Sequence, residues 1–306
     1  MSATVFKKVL LNLVFMGALM LNGVTATAGE ATEKALARIP PPPTLKCRAA
    51  VLLDMRTGNV LFSKNPDEKR SPASITKVMT VLLAVERGNL DAEVFIPAAA
   101  AGIGGKKARI VPGTRVRMES LLWAILVYSG NDTAYALARH VGGTEPEFIK
   151  LMNRRAEELG LKNTHFMNSH GLTQQGHYST ARDLAILSRE ALKNPLLRKM
   201  VSSKFVYFSE FGGREDLELE STNNLLWEMP DALGIKTGYT AAAGHCLASM
   251  ARRDGRELIA IVLGSDKENY WRDAQAMLEY GFNLPSTQIN PAPPLPLKGG
   301  HISGSQ

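Results

Sequence analysis

The chain has 306 residues, 45% hydrophobic and 21% charged, which supports a sizeable core and excludes a disordered or collagen-like polymer. Its net charge of +7 comes without a dense basic cluster interleaved with aromatics, so nucleic acid is not the expected partner. The surplus suits anionic cell-envelope polymers, with at most peripheral membrane contact.

Lys7 and Lys8 precede an apolar run at residues 9–21, and Ala26-Thr27-Ala28 follows. A charged start, a short apolar middle and a small-residue site make a secretory signal, residues 1–28, cleaved after Ala28. A run of thirteen residues falls short of the ~20 a spanning helix needs. The mature protein is therefore expected in the periplasm or secreted to the cell envelope. Residues 29–44, with Pro40 to Pro43, read as an extended linker.

Residues 48–54 read as a strand, Thr57-Gly58-Asn59 as a turn, and residues 60–62 as the returning strand. The stretch 64–73 then delivers the chain to SITKVMTVLLAVERG. There Ile75, Val78, Met79, Leu82 and Leu83 fall at helical spacing with one buried face, and Gly88 supplies the stop. Four helical patterns follow at residues 119–128, 132–140, 145–159 and 180–191. Strand signals resume at residues 204–209, turn at Gly212-Gly213, and continue at 233–238, 245–252 and 257–264. Asp254-Gly255 is a hairpin turn between the last two, and residues 270–280 close with a helix. Two strands first, helices next and three strands last predict one α+β domain, residues 45–283, whose sheet both ends complete around an inserted all-helical block. Five prolines mark residues 284–306 as a loose tail.

Ser74 and Lys77 lie three apart at the head of the first helix, hence on one side of it. A serine beside an amine that can act as its base is an activated nucleophile. Ser-x-Asn occurs three times, at Ser63-Lys64-Asn65, Ser129-Gly130-Asn131 and Ser221-Thr222-Asn223, and means nothing alone. Lys-Thr-Gly occurs once, as Lys236-Thr237-Gly238 at the end of a predicted strand. Order and context decide: Ser-x-x-Lys opens a helix, Ser129-Gly130-Asn131 joins two helices, and Lys-Thr-Gly sits on a strand. Cys47 and Cys246 could be bridged in an oxidising compartment or stay buried as free thiols. The six histidines show no ligand-like pairing, so neither metal nor cofactor is expected.

Over residues 49–282 the chain resembles the low-molecular-mass penicillin-binding proteins, the D-alanyl-D-alanine carboxypeptidase family. Asn168-Ser169-His170-Gly171-Leu172 and residues 178–183 and 234–244 add to that likeness. The resemblance implies a β-lactamase/transpeptidase-like fold. It implies that Ser74 attacks the penultimate D-alanine of a peptidoglycan stem peptide, with Lys77 as base, and that β-lactam antibiotics acylate the same serine. Lys77 must then fall from its ordinary pKa of ~10.4, through burial and a like charge, for which Lys236 is suited. Ser129 would relay a proton and Asn131 orient Lys77. The N–H groups of Ser74 and Tyr239 would form an oxyanion hole. Lys236 and Thr237, with Gly238 keeping the strand edge open and Arg272 as a charged partner, would read the terminal carboxylate. His170 and Asp183 are expected to be structural.

The resemblance also implies a one-domain form, since the chain ends before the larger members' second domain and amphipathic tail. Gly244-His245-Cys246-Leu247 is similar to the short endopeptidase members, so a D,D-endopeptidase is the alternative. A β-lactamase would need a further glutamate. Glu145-Pro146-Glu147 instead reads as the acidic first turn of a helix. A non-catalytic penicillin-binding or wall-binding module would not need the whole nucleophile constellation.

Overall fold

The computed structural model describes residues 39–285, so the predicted leader, most of the linker and nearly all of the tail lie outside the described residues. Two units are distinguished. Residues 42–282 carry every regular element described below, and the described residues of the other unit, 39–41 and 283–285, hold no helix or strand.

A five-stranded antiparallel sheet organises the larger unit. Its strands are β1 (Ala49–Asp54), β2 (Val60–Lys64), β7 (Ala232–Thr240), β8 (Gly244–Arg253) and β9 (Arg256–Ser265), in the order β2-β1-β9-β8-β7. Successive side chains on a strand point to opposite faces, and both faces here are covered. Ala49, Val51, Leu53, Ile259 and Ile261 pack into the larger core with the helical block. Ala50, Leu52, Leu258, Ala260 and Val262 pack on the other side beneath α9 (Tyr270–Phe282). Double burial explains why β1 is an unbroken apolar run rather than an alternating one. Asp254 and Gly255 both take positive φ, 50° and 77°, as the two-residue hairpin requires.

The inserted block starts with a tight 3-10 turn, Ala73–Thr76, that leads into α1 (Lys77–Arg87). Sequence periodicity predicts one buried face for α1. Instead every residue from Lys77 to Ala84 is buried, because neighbouring helices enclose it. These include α4 (Asn131–Gly142), α5 (Glu145–Glu158) and α6 (Ala181–Ala191). A short hairpin, β3 (Glu93–Phe95) with β4 (Arg115–Arg117), and the small helix α2 (Ala98–Gly102) lie between α1 and the rest of the block. The helix expected at residues 119–128 begins as α3 (Met118–Trp123) and widens into a π-helical turn, Ala124–Tyr128. It ends at Ser129, whose φ of 74° is left-handed.

After α7 (Pro195–Val201), β5 (Phe205–Phe211) pairs with β6 (Arg214–Glu220) in a separate ribbon. The short helix α8 (Leu225–Glu228) then leads into β7. The acidic sequence of β6 hides its strand character, because only Leu217 and Leu219 face inward. No described helix is long and apolar enough to cross a membrane.

Candidate active site

Three chain segments meet at one cavity of about 390 Å³: the turn bearing Ser74, the Ser129-Gly130-Asn131 junction, and the edge strand β7. Ser74 lies in the 3-10 turn just before α1 and is partly accessible, whereas Lys77 is fully buried. The Lys77 Nζ donates to Ser74 Oγ at 2.8 Å, to Asn131 Oδ1 at 2.6 Å and to the His170 carbonyl at 2.6 Å. Burial, then the nearby charge of Lys236, push its pKa well below the usual lysine range, and Asp132 opposes them. A desolvated ammonium beside a second cation sheds its proton readily.

Lys236 is itself 1% exposed and donates to the Thr237 carbonyl at 3.1 Å. Burial, then the charge of Lys106, lower its pKa to about 7. The Thr237 hydroxyl bonds that of Thr222, a residue to which no motif in the sequence assigns a role. Gly238 permits the close approach of β7, since a Cβ there would stand 2.8 Å from the Ser74 nitrogen. Asn131 also reaches the loop before it, donating through Nδ2 to the Gly104 carbonyl at 2.7 Å.

The loop Ser169–Gly171 closes the site from behind. Its His170 carbonyl receives Lys77, and its Ser169 carbonyl receives the Thr80 hydroxyl at 2.6 Å. The Glu145 carboxylate accepts from Ser169 N and Oγ, at 3.2 and 2.7 Å, and lies 4.0 Å from His170 Nε2. Glu145 is thus more than a helix-start acid: it anchors this loop. Burial, then the Lys77 charge, hold the His170 imidazole near a pKa of about 3, so it is neutral in ordinary buffers. Asp183 serves structure, as expected: it accepts from Asn163 N and Thr164 Oγ1, both at 2.8 Å.

Arg272 is a correction. It is exposed on α9, with its guanidinium 5.0 Å from the centroid of its neighbour Trp271, and it does not line the cavity. Tyr270 lines it instead. Two helical steps of about 100° put residue 272 on the face opposite residue 270. Tyr270 stacks on His245 at 5.3 Å between centroids, and His245 on Tyr239 at 4.5 Å, forming an aromatic wall. Aromatic residues in the last strands and helix were the available signal for that wall. The His170 carbonyl offered none, since every residue carries one. Cys47 and Cys246 are free and buried.

The architecture is that of the penicillin-binding, transpeptidase-fold class. The crystal structure of the Streptomyces K15 DD-transpeptidase matches with a TM-score of 0.76 at 33% identity, over 79% of this chain and 99% of that one. Residues 36–267 match the D-alanyl-D-alanine carboxypeptidase family, and the chain belongs to it. It is 39% identical over 245 residues to the D-alanyl-D-alanine carboxypeptidase DacF of Bacillus subtilis, covering 78% of this chain and 62% of that protein. It is 33% identical to DacC of Escherichia coli, covering 90% of this chain and 69% of that protein. The chain thus spans less than two thirds of DacF and little more of DacC.

Proposed function

We propose that the protein is an exported serine D-alanyl-D-alanine carboxypeptidase, acting on peptidoglycan stem peptides and acylated by β-lactam antibiotics at the same serine. The observation that carries this is the buried Lys77 amine, 2.8 Å from Ser74 Oγ with its pKa pushed down. In its neutral form it keeps two donor bonds, to Asn131 and His170, and turns its lone pair to the Ser74 hydroxyl. Ser74 gives its proton to Lys77 while Oγ attacks the carbonyl of the penultimate D-alanine. The developing oxyanion is met by the N–H groups of Ser74 and Tyr239, a pairing supported by the close approach of β7 to Ser74 at Gly238. One such donor is worth ~2.7–4 kcal/mol of transition-state stabilisation. The C–N bond breaks as Ser129 relays a proton to the departing D-alanine amine. Water, deprotonated by Lys77, then cleaves the ester and releases the shortened stem peptide and Ser74. Lys236 and Thr237 hold the terminal carboxylate.

Mass spectrometry of the purified protein, offered monomeric pentapeptide and cross-linked muropeptide dimers with a Ser74→Ala control, tests this. Loss of one D-alanine from the pentapeptide, absent in the control, is expected. Dimers falling to monomers with pentapeptide intact would reassign the protein as a D,D-endopeptidase. Identical behaviour of wild type and control would return the non-catalytic binding module.

A further inference from the structure

A second cavity of about 420 Å³ adjoins the first, and the walls of both include Gly105 and Lys106. The segment 104–110 between them is pinned to the start of α4. Asn131 N donates to the Lys106 carbonyl at 2.8 Å, and Asn131 Nδ2 to that of Gly104. The buried Asp132 carboxylate accepts from the N–H groups of Ala108, Arg109 and Ile110 at 2.9, 2.7 and 3.3 Å. The loop's backbone is therefore held by Asn131 and by its neighbour in sequence. Its side chains are left for something else.

Lys106, Lys107 and Arg109 from this loop, joined by Arg214 from β6, line the second cavity. None of these four has a carboxylate ion-pair partner within 4 Å among the described residues. Elsewhere Arg117, Arg182, Arg198 and Arg253 pair with carboxylates at 2.6–2.7 Å. The Lys106 ammonium lies 3.9 Å from the centroid of the Tyr128 ring. Lys107 donates to the Ala101 carbonyl at 2.9 Å and Arg214 to the Ala108 carbonyl at 3.1 Å, neutral acceptors that leave both charges uncompensated. Against them stand Glu218 in the wall and Glu220, whose charge acts on Lys106. Several cations gathered in a concave site with few counter-charges focus a field that draws anions.

We propose that this second cavity is a subsite for a carboxylate carried by the substrate peptide upstream of its D-alanyl-D-alanine end. The inference rests on the peptidase reading above. Ser74 and Lys106 line one cavity, and an extended peptide advances ~3.3–3.6 Å per residue, so a few residues upstream of the scissile bond span that wall. Guanidinium and ammonium groups bind carboxylate by charge-assisted hydrogen bonds. Lys106, shared by both cavities, sits at the passage.

The test uses two pentapeptides ending in D-alanyl-D-alanine, identical except that the acidic side group of the second residue is a free carboxylate in one and a carboxamide in the other. With the full-length protein at low salt, kcat/KM is expected to favour the acid by about tenfold, and the preference should shrink at high salt as screening sets in. In a Lys107→Gln/Arg109→Gln variant the ratio should fall towards one at low salt. Both substitutions keep a Cβ, so the positive φ of Arg109 gains no new strain, and the bonds to Asp132 are made by backbone. A ratio of one in the wild type, or a preference that survives in the variant, overturns the subsite. If neither peptide is cleaved, the peptidase reading fails instead. Calorimetric binding of the same two peptides then decides the subsite: tighter binding of the acid supports it, and equal affinities overturn it.

Discussion

Lys236 is buried to 1% exposure, donates to a backbone carbonyl and shares its surroundings with a second cation, Lys106. Its pKa falls from 10.5 to about 7, which fixes a sign. Between these values the unfolded chain holds a proton that the folded protein has lost, so this group's contribution to stability rises with pH across that window. Below about pH 7 both states are charged and the fold carries the whole cost of burying the ammonium. Lys236→Met should therefore raise the Tm, by on the order of 5 °C at pH 6, with the gain fading as pH approaches 10. Calorimetric melts at both pH values check this, and an equal or opposite gain at pH 6 would sink it. The same residue scale shows what sequence could reveal. Ser74, Lys77, Asn131 and Lys236 stand out in the sequence by side-chain type and short motif spacing, and the structure brings them together. Arg272 misled because a charge in a sequence does not say which face of a helix it occupies, and Tyr270 took its place on the wall.

The loop Ser169–Gly171 matters as an element because it fixes both the lysine and the turn that bears the serine. Gly171 has a φ of 90°, and a Cβ there would lie 1.9 Å from the Ala73 carbonyl oxygen. No L side chain fits without moving the backbone of Ala73, the neighbour of Ser74. Gly171→Ala is expected to lower stability by more than ~2 kcal/mol in urea unfolding and to slow acylation by labelled penicillin more than tenfold. Wild-type acylation in that variant would show that the turn is held by other contacts. In the sequence this loop is one of the family-like stretches, but nothing there shows what it touches. The contacts of Gly171 are 98 residues away in sequence, at Ala73. By contrast the β8–β9 hairpin was readable, since Asp254-Gly255 determines its own turn locally. The ribbon β5–β6 was not fully readable: its return strand alternates leucine with acid and has little core of its own.

At the scale of the molecule, the sheet joining both ends of the domain could be inferred from strand order, because two early strands and three late ones need partners. Which face each residue covers follows from the register, and that settles the cysteines. Cys246 packs in the core between sheet and helical block, while Cys47 packs with α9 on the far side, its N–H bonded to Asp273 Oδ2 at 2.8 Å. The sheet lies between them, so a bridge would have to pass through it, against the short span that disulfide geometry allows. Burial raises the thiol pKa of Cys47 to about 12 and of Cys246 to about 11, so neither forms the reactive thiolate near neutral pH. Native protein should therefore resist a thiol-exchange reagent in both positions, and both thiols should react together as urea passes the unfolding midpoint. The melting temperature should be the same with and without reductant, because no bridge is there to break. Rapid labelling of one thiol in native buffer would mean that its side of the sheet opens on its own. A Tm that drops with reductant would mean that the two cysteines are joined after all.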